Sequence, residues 1–201
     1  MFEIFTAIGL AIAAGLNAYI PLLAVGLLSR FTDFLNLPEG WLWLESDVAL
    51  VIFAVMVVLE FIADKVPVVD SVNDVLQTAI RPASGGALFA VGVDADTSFD
   101  SFGAFLESPA IPWMVLGIVL ALIPHIFKLI IRPLINFLSA GFGAVASSVI
   151  GDIMTVVLII LAIFAPILIP VAVVLMVVAS VKLVQRLLRL KNERKQKLTA
   201  A

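Results

Sequence analysis

Residues 133–181 read PLINFLSAGFGAVASSVIGDIMTVVLIILAIFAPILIPVAVVLMVVASV, 49 positions with a single charged side chain, Asp152. As one helix this stretch would reach about 74 Å at about 1.5 Å per residue, more than twice the roughly 30 Å of a bilayer's hydrocarbon core. One crossing cannot absorb that length, so a hairpin is required. Pro166-Ile-Leu-Ile-Pro170 supplies its turn, because proline lacks an amide proton and disrupts a helix interior.

The rest of the chain is consistent with that reading. Of 201 residues, 63% are hydrophobic and 13% charged, with a mean hydropathy of +1.20, where a soluble domain carries roughly 25% charged residues. The fold class is all-α: a polytopic transmembrane helical bundle forming one domain over residues 1–201. Further charge-free runs lie at Ile4–Ser29 and Ser108–Phe127, and a shorter span at Asp47–Ala63 follows Trp41 and Trp43, an interfacial belt. The first run has no Lys or Arg ahead of it and no small-residue cleavage site, so it reads as a retained span rather than a signal peptide.

Residues 83–93, ASGGALFAVGV, are the difficult segment, since eleven residues as helix reach only about 16 Å. They either cross, giving about six spans, or form a re-entrant element beside five. Six spans put both termini inside and eleven of the twelve Lys and Arg on the cytoplasmic side, whereas five leave ten there. Residues 182–201 then form a basic cytoplasmic tail, a topology anchor that can also attract anionic lipids. The expected topology is multi-pass, with the C-terminus cytoplasmic. The acidic stretches 33–47 and 94–107 read as solvated loops.

Two polar interruptions fall near the middle of the drawn spans: Gly15-Leu16-Asn17 with Pro21, and Gly151-Asp152. Breaks of this kind free backbone groups that can coordinate an ion inside a bundle. Ser148 and Thr155 lie at i−4 and i+3 from Asp152, on one helical face, and Gly141, Ala144 and Gly151 next to it suit close helix contact. Asn17, Ser148, Asp152 and Thr155 are therefore a candidate site for an ion or polar solute. An intramembrane Asp costs about 2.5–3.5 kcal/mol on insertion scales, so it needs a partner or a wet cavity. A protonated or hydrogen-bonded Asp152 joining two helices is the alternative.

A second constellation comprises Glu60, Asp64, Asp70, Asp74 and Arg81. Asp70 reads as the N-cap of a short cytoplasmic amphipathic helix running to Ile80. Capping together with salt bridges from Lys65 and Arg81 accounts for this cluster. Alternatively its carboxylates hold Mg²⁺ for an enzyme acting on a lipid or prenyl phosphate at the interface. No cofactor is otherwise expected. His125, the only histidine, stands near Lys128 as a polar helix end, with a proton-relay role as the alternative. Ile80-Arg81-Pro82 and Ile131-Arg132-Pro133 repeat a tripeptide and hint at a duplicated unit.

No phosphate-cradling glycine loop, nucleophile elbow, zinc-binding histidine pair or basic-aromatic surface is present, which argues against a conventional hydrolase or kinase and against nucleic acid as a partner. A small transporter or channel is the leading reading. The membrane-embedded Mg-dependent enzyme and a structural or assembly subunit are the others. The lipid bilayer is the expected partner, and the small-residue stripe suits a homo-oligomer as well as an internal seam.

The stretches Gly15-Leu16-Asn17-Ala18-Tyr19-Ile20-Pro21-Leu22-Leu23 and Asp64-Lys65-Val66-Pro67, with Asp70, Asp74 and Arg81-Pro82-Ala83-Ser84-Gly85, resemble a bacterial integral-membrane family, domain of unknown function 4126. The resemblance implies a small inner-membrane protein and carries no activity, substrate or cofactor.

Overall fold

The computed structural model describes residues 2–64, 67–95, 102–139 and 142–199, and no strand occurs among them. Eight α-helices follow one another: α1 (Phe2–Leu16), α2 (Tyr19–Phe31), α3 (Asp47–Ala63), α4 (Pro67–Gly92), α5 (Phe102–Leu106), α6 (Ala110–Ser139), α7 (Phe142–Phe164) and α8 (Ile169–Thr199). Short 3-10 turns at Glu39–Glu45 and Pro166–Leu168 precede α3 and α8. The second is the expected proline turn: α7 stops at Phe164 and α8 starts at Ile169.

Three helices contain stretches long and apolar enough to cross a membrane: Ala110–Arg132, Val145–Phe164 and Pro166–Leu190. The Glu39–Glu45 turn and α3, bent by 60°, make a fourth if taken as one span. The other crossings expected from the sequence take less regular forms. Ile4–Ser29 is not one rod but α1 and α2, of 15 and 13 residues, and at about 1.5 Å per residue neither alone reaches across 30 Å.

Residues 83–92 are not a separate element. They are the C-terminal part of the 26-residue α4, whose length of about 39 Å would cross a bilayer. The short amphipathic helix expected from Asp70 to Ile80 is the N-terminal part of the same helix, which starts at Pro67, where a missing amide proton costs nothing. Helix α4 continues through Arg81-Pro82, and α6 continues through Arg132-Pro133 to Ser139. Both copies of the tripeptide thus lie inside helices.

The core is built on α1, which packs against α4, α6 and α7. Ala7, Leu10, Ala11, Ala13 and Ala14 are fully buried, and the short alanines let three neighbours approach. Helix α4 lies against α6 along a seam where glycine is required by space. A Cβ on Gly85 would meet the Ala121 side chain and come within 2.9 Å of the Gly117 carbonyl oxygen. Helix α7 runs unbroken through Gly151-Asp152, where the sequence suggests a break, and no described residue lies within 4 Å of where a Cβ on Gly151 would sit, so the close contact expected there is not seen among the described residues. The apolar surface of α8, including Val171, Val174 and Leu175, is exposed and suits contact with lipid.

Candidate functional site

Helix α3 ends on Glu60 and Asp64, four residues apart and both almost fully buried. Helix α4 turns Asp74, Gln77 and Arg81 inward at spacings of three and four, so they stand on one face. Helix α6 presents His125 and Arg132, also buried, with Lys128 between them. These elements meet at one end of the bundle.

The contacts form a connected network. Arg81, with no exposed surface, donates from NH2 to Glu60 Oε1 at 2.8 Å, and its NH1 stands 3.3 Å from His125 Nδ1. His125 Nε2 lies 3.0 Å from Thr78 Oγ1, whose hydroxyl donates to the Asp74 carbonyl at 2.9 Å. Arg132 NH1 donates to Asp74 Oδ2 at 2.6 Å, and Arg132 NH2 lies 3.5 Å from Asp64 Oδ2. Lys128 Nζ donates to the same Asp64 oxygen at 3.1 Å, and Asn73 Nδ2 donates to Asp64 Oδ1 at 3.2 Å.

Among the described residues three carboxylates thus face three basic side chains, an arrangement that pairs charge in a setting where unpaired charge is costly. Asp64 stands one residue beyond the apolar run of α3. Burial alone would push its carboxyl up, but Lys128, the Ser148 hydroxyl and Arg132 outweigh burial and hold it well below the usual carboxylate range.

The second site assembles at the break between α1 and α2. Asn17 closes α1 by donating its backbone N–H to the Ala13 carbonyl at 3.0 Å. Its Oδ1 then accepts from the backbone N–H groups of Tyr19 and Ile20, both at 3.1 Å, and Ala18, between Asn17 and Tyr19, already has helical dihedral angles. Asn17 is therefore the N-cap of α2, and this orients its amide. With Oδ1 committed to the helix end, Nδ2 points outward and donates to Asp152 Oδ1 on α7 at 3.1 Å. Asn17→Ala should lower stability by about 0.5–2 kcal/mol through loss of the cap. Thermal unfolding of the detergent-solubilised protein checks this, and an unchanged midpoint would rule the cap out as a stabilising contact.

Ser148, one turn before Asp152, donates its hydroxyl to Asp64 Oδ2 at 2.6 Å. Thr155 is buried and donates to the Gly151 carbonyl at 2.9 Å. Of the four residues singled out around the midplane, Asn17 and Asp152 meet directly, Ser148 belongs to the charged network, and Thr155 bonds back to its own helix.

Of the interfacial group, Glu60, Asp64, Asp74 and Arg81 come together, whereas the side chain of Asp70 and all of Lys65 lie outside the described residues. The described carboxylates face cations rather than one another, and no group of three or more His, Cys, Asp or Glu that could hold a metal ion occurs among the described residues. Asp70, one of the paired acids of the magnesium alternative, is not among the side chains described. Arg81 and Arg132 are buried on carboxylates, not turned outward to meet lipid phosphate.

The model of the family described as Domain of unknown function (DUF4126) matches residues 4–186. The chain belongs to that family. No curated protein and no solved structure matches it. The DUF4126 match covers every residue of both sites, from Asn17 to Thr155.

The sequence does not place Lys128 or Arg132 among the candidate site residues, although it offers Arg132 as a phosphate contact, and it reads His125 as a polar helix end with a proton-relay role as the alternative. The signal was present in their spacing. Positions 125, 128 and 132 form a polar stripe on an otherwise apolar helix, complementary to 74, 77, 78 and 81 on α4.

Proposed function

We propose that this helical membrane protein is a small transporter or channel for an ion or small polar solute, with Asn17, Ser148, Asp152 and Thr155 lining its site in a bacterial inner membrane. The observation that carries this reading is the continuity of polar groups through the bundle. Asn17 meets Asp152 eight residues into the apolar stretch Val145–Phe164. One turn away, about 6 Å along α7, Ser148 hands on to Asp64 and the charged cluster. A chain of polar side chains along membrane helices is costly to maintain, and its usual purpose is to carry something polar. The basic end of α8 faces the cytoplasm in this reading, where it can hold anionic lipid.

The absence of cysteine makes the test direct. Asp152→Cys should be labelled by a membrane-impermeant maleimide applied from one side of the membrane. Purified protein in liposomes should discharge an imposed gradient of Na⁺, K⁺ or H⁺, and Asp152→Asn should abolish that flux while leaving expression and folding intact. Protection of the introduced thiol in a folded protein, or undiminished flux through Asp152→Leu, would overturn the proposal.

A further inference from the structure

We propose that His125 is a proton-binding site whose occupancy is coupled to the position of Arg81. The argument starts from hydrogen-bond direction. A guanidinium only donates, so the contact between Arg81 NH1 and His125 Nδ1 at 3.3 Å requires a lone pair on Nδ1. A separate contact gives the same assignment. Thr78 has one hydroxyl proton and commits it to the Asp74 carbonyl, so its contact with His125 Nε2 at 3.0 Å must have Nε2–H as the donor. Two independent constraints fix one state: neutral imidazole, protonated on Nε2, with Nδ1 open only toward Arg81.

That state has room for one proton, at the Nδ1 lone pair. Taking a proton from hydronium, which leaves as water, forms one N–H bond there and turns Nδ1 into a donor facing another donor. Arg81 NH1 then loses its acceptor, while its NH2 keeps Glu60 Oε1. The groups that face the imidazole are Arg81 and Asp74 from α4 and Lys128 from its own helix, with Glu60 and Asp64 of α3 behind Arg81 and Lys128. Among the described residues three carboxylates and three basic groups face one another, so protonation adds one positive charge beside the guanidinium, which must withdraw from the ring. Proton binding on α6 thereby becomes movement of a side chain on α4. As a statement about the coupling ion, this rests on the transport reading above; as a statement about His125, it does not.

The chain has one histidine, so imidazole-¹⁵N labelling reports this site alone. Solid-state NMR of the protein in lipid bilayers at neutral pH should show one protonated ring nitrogen, Nε2, and an unprotonated Nδ1 in contact with the Arg81 guanidinium. On acidification both nitrogens should become protonated as the Arg81–His125 contact is lost and the Arg81–Glu60 contact persists. A neutral ring protonated on Nδ1, a ring that stays neutral until the fold is lost, or a cation that keeps its Arg81 contact would each overturn the proposal. His125→Gln offers an acceptor to Arg81 and a donor to Thr78 without binding a proton, and it should keep the fold while making any flux in liposomes independent of pH. Flux that keeps its pH dependence in this variant would overturn the coupling role. Should the ring behave as expected while the wild-type protein discharges no gradient, the proton site stands and the transport reading falls.

Discussion

Replacing Arg81 by Leu should cost about 3–5 kcal/mol, the usual penalty for removing one partner of a buried ion pair. The reason lies in what remains behind. Glu60 is 3% exposed and loses the donor to its Oε1, while its Oε2 has no hydrogen-bond partner already. His125 Nδ1 loses its donor at the same time. Against a total stability of about 5–15 kcal/mol for folded proteins, such a loss should reduce the yield of folded, detergent-stable protein severely. The double replacement Glu60→Gln with Arg81→Met removes both charges, and exchange of a buried pair for uncharged groups of similar volume is often neutral or stabilising. Thermal unfolding in detergent should therefore place the double variant well above Arg81→Leu. If the two unfold together, the charge left on Glu60 is not the cause.

The second large effect is steric. Gly85→Val should destabilise the bundle by about 1–3 kcal/mol or more, the range for overfilling a close-packed interior. The obstacle is backbone: the Gly117 carbonyl lies 2.9 Å from the position of a Cβ on Gly85, and α6 would have to move as a whole to make way. Gly151→Ala is the internal contrast. No described residue lies within 4 Å of its Cβ position, and exchanging glycine for alanine within a helix favours the helix by about 1 kcal/mol. Differential scanning fluorimetry on the two variants should shift the midpoint in opposite directions. Equal midpoints for Gly85→Val and wild type would falsify the packing argument.

Much of the fold was legible in the sequence because long apolar runs leave few alternatives. The proline turn at 166–170 followed from the length of the run around Asp152, and the break at Gly15–Pro21 from small and polar residues inside a greasy stretch. The course of 67–92 was harder to read. Pro82 and the change from charged to apolar residues both look like boundaries, yet the helix runs through them. Its charged half is buried on α3 and α6 instead of lying on the surface, and one sequence cannot show that a polar stripe has a complementary stripe 50 residues away.

The same limit applied to the sites. Asn17 and Asp152 stood out because each is isolated among apolar neighbours. Ser148 was grouped with Asp152 by helical spacing, but its hydroxyl goes to Asp64, a partner 84 positions away. Arg132 and Lys128 looked like ordinary charges closing an apolar span. Their role depends on Asp64 and Asp74 converging on them, which is a property of packing.

The partition of the buried charges over three helices bears on how the chain is made. Glu60 leaves the ribosome with α3, Arg81 with α4, and the cations of Asp64 and Asp74 only with α6, after residue 128. Until then Asp64 and Asp74 lack the cations that neutralise them in the folded bundle, so α3 and α4 reach their final pairing only once α6 has been made.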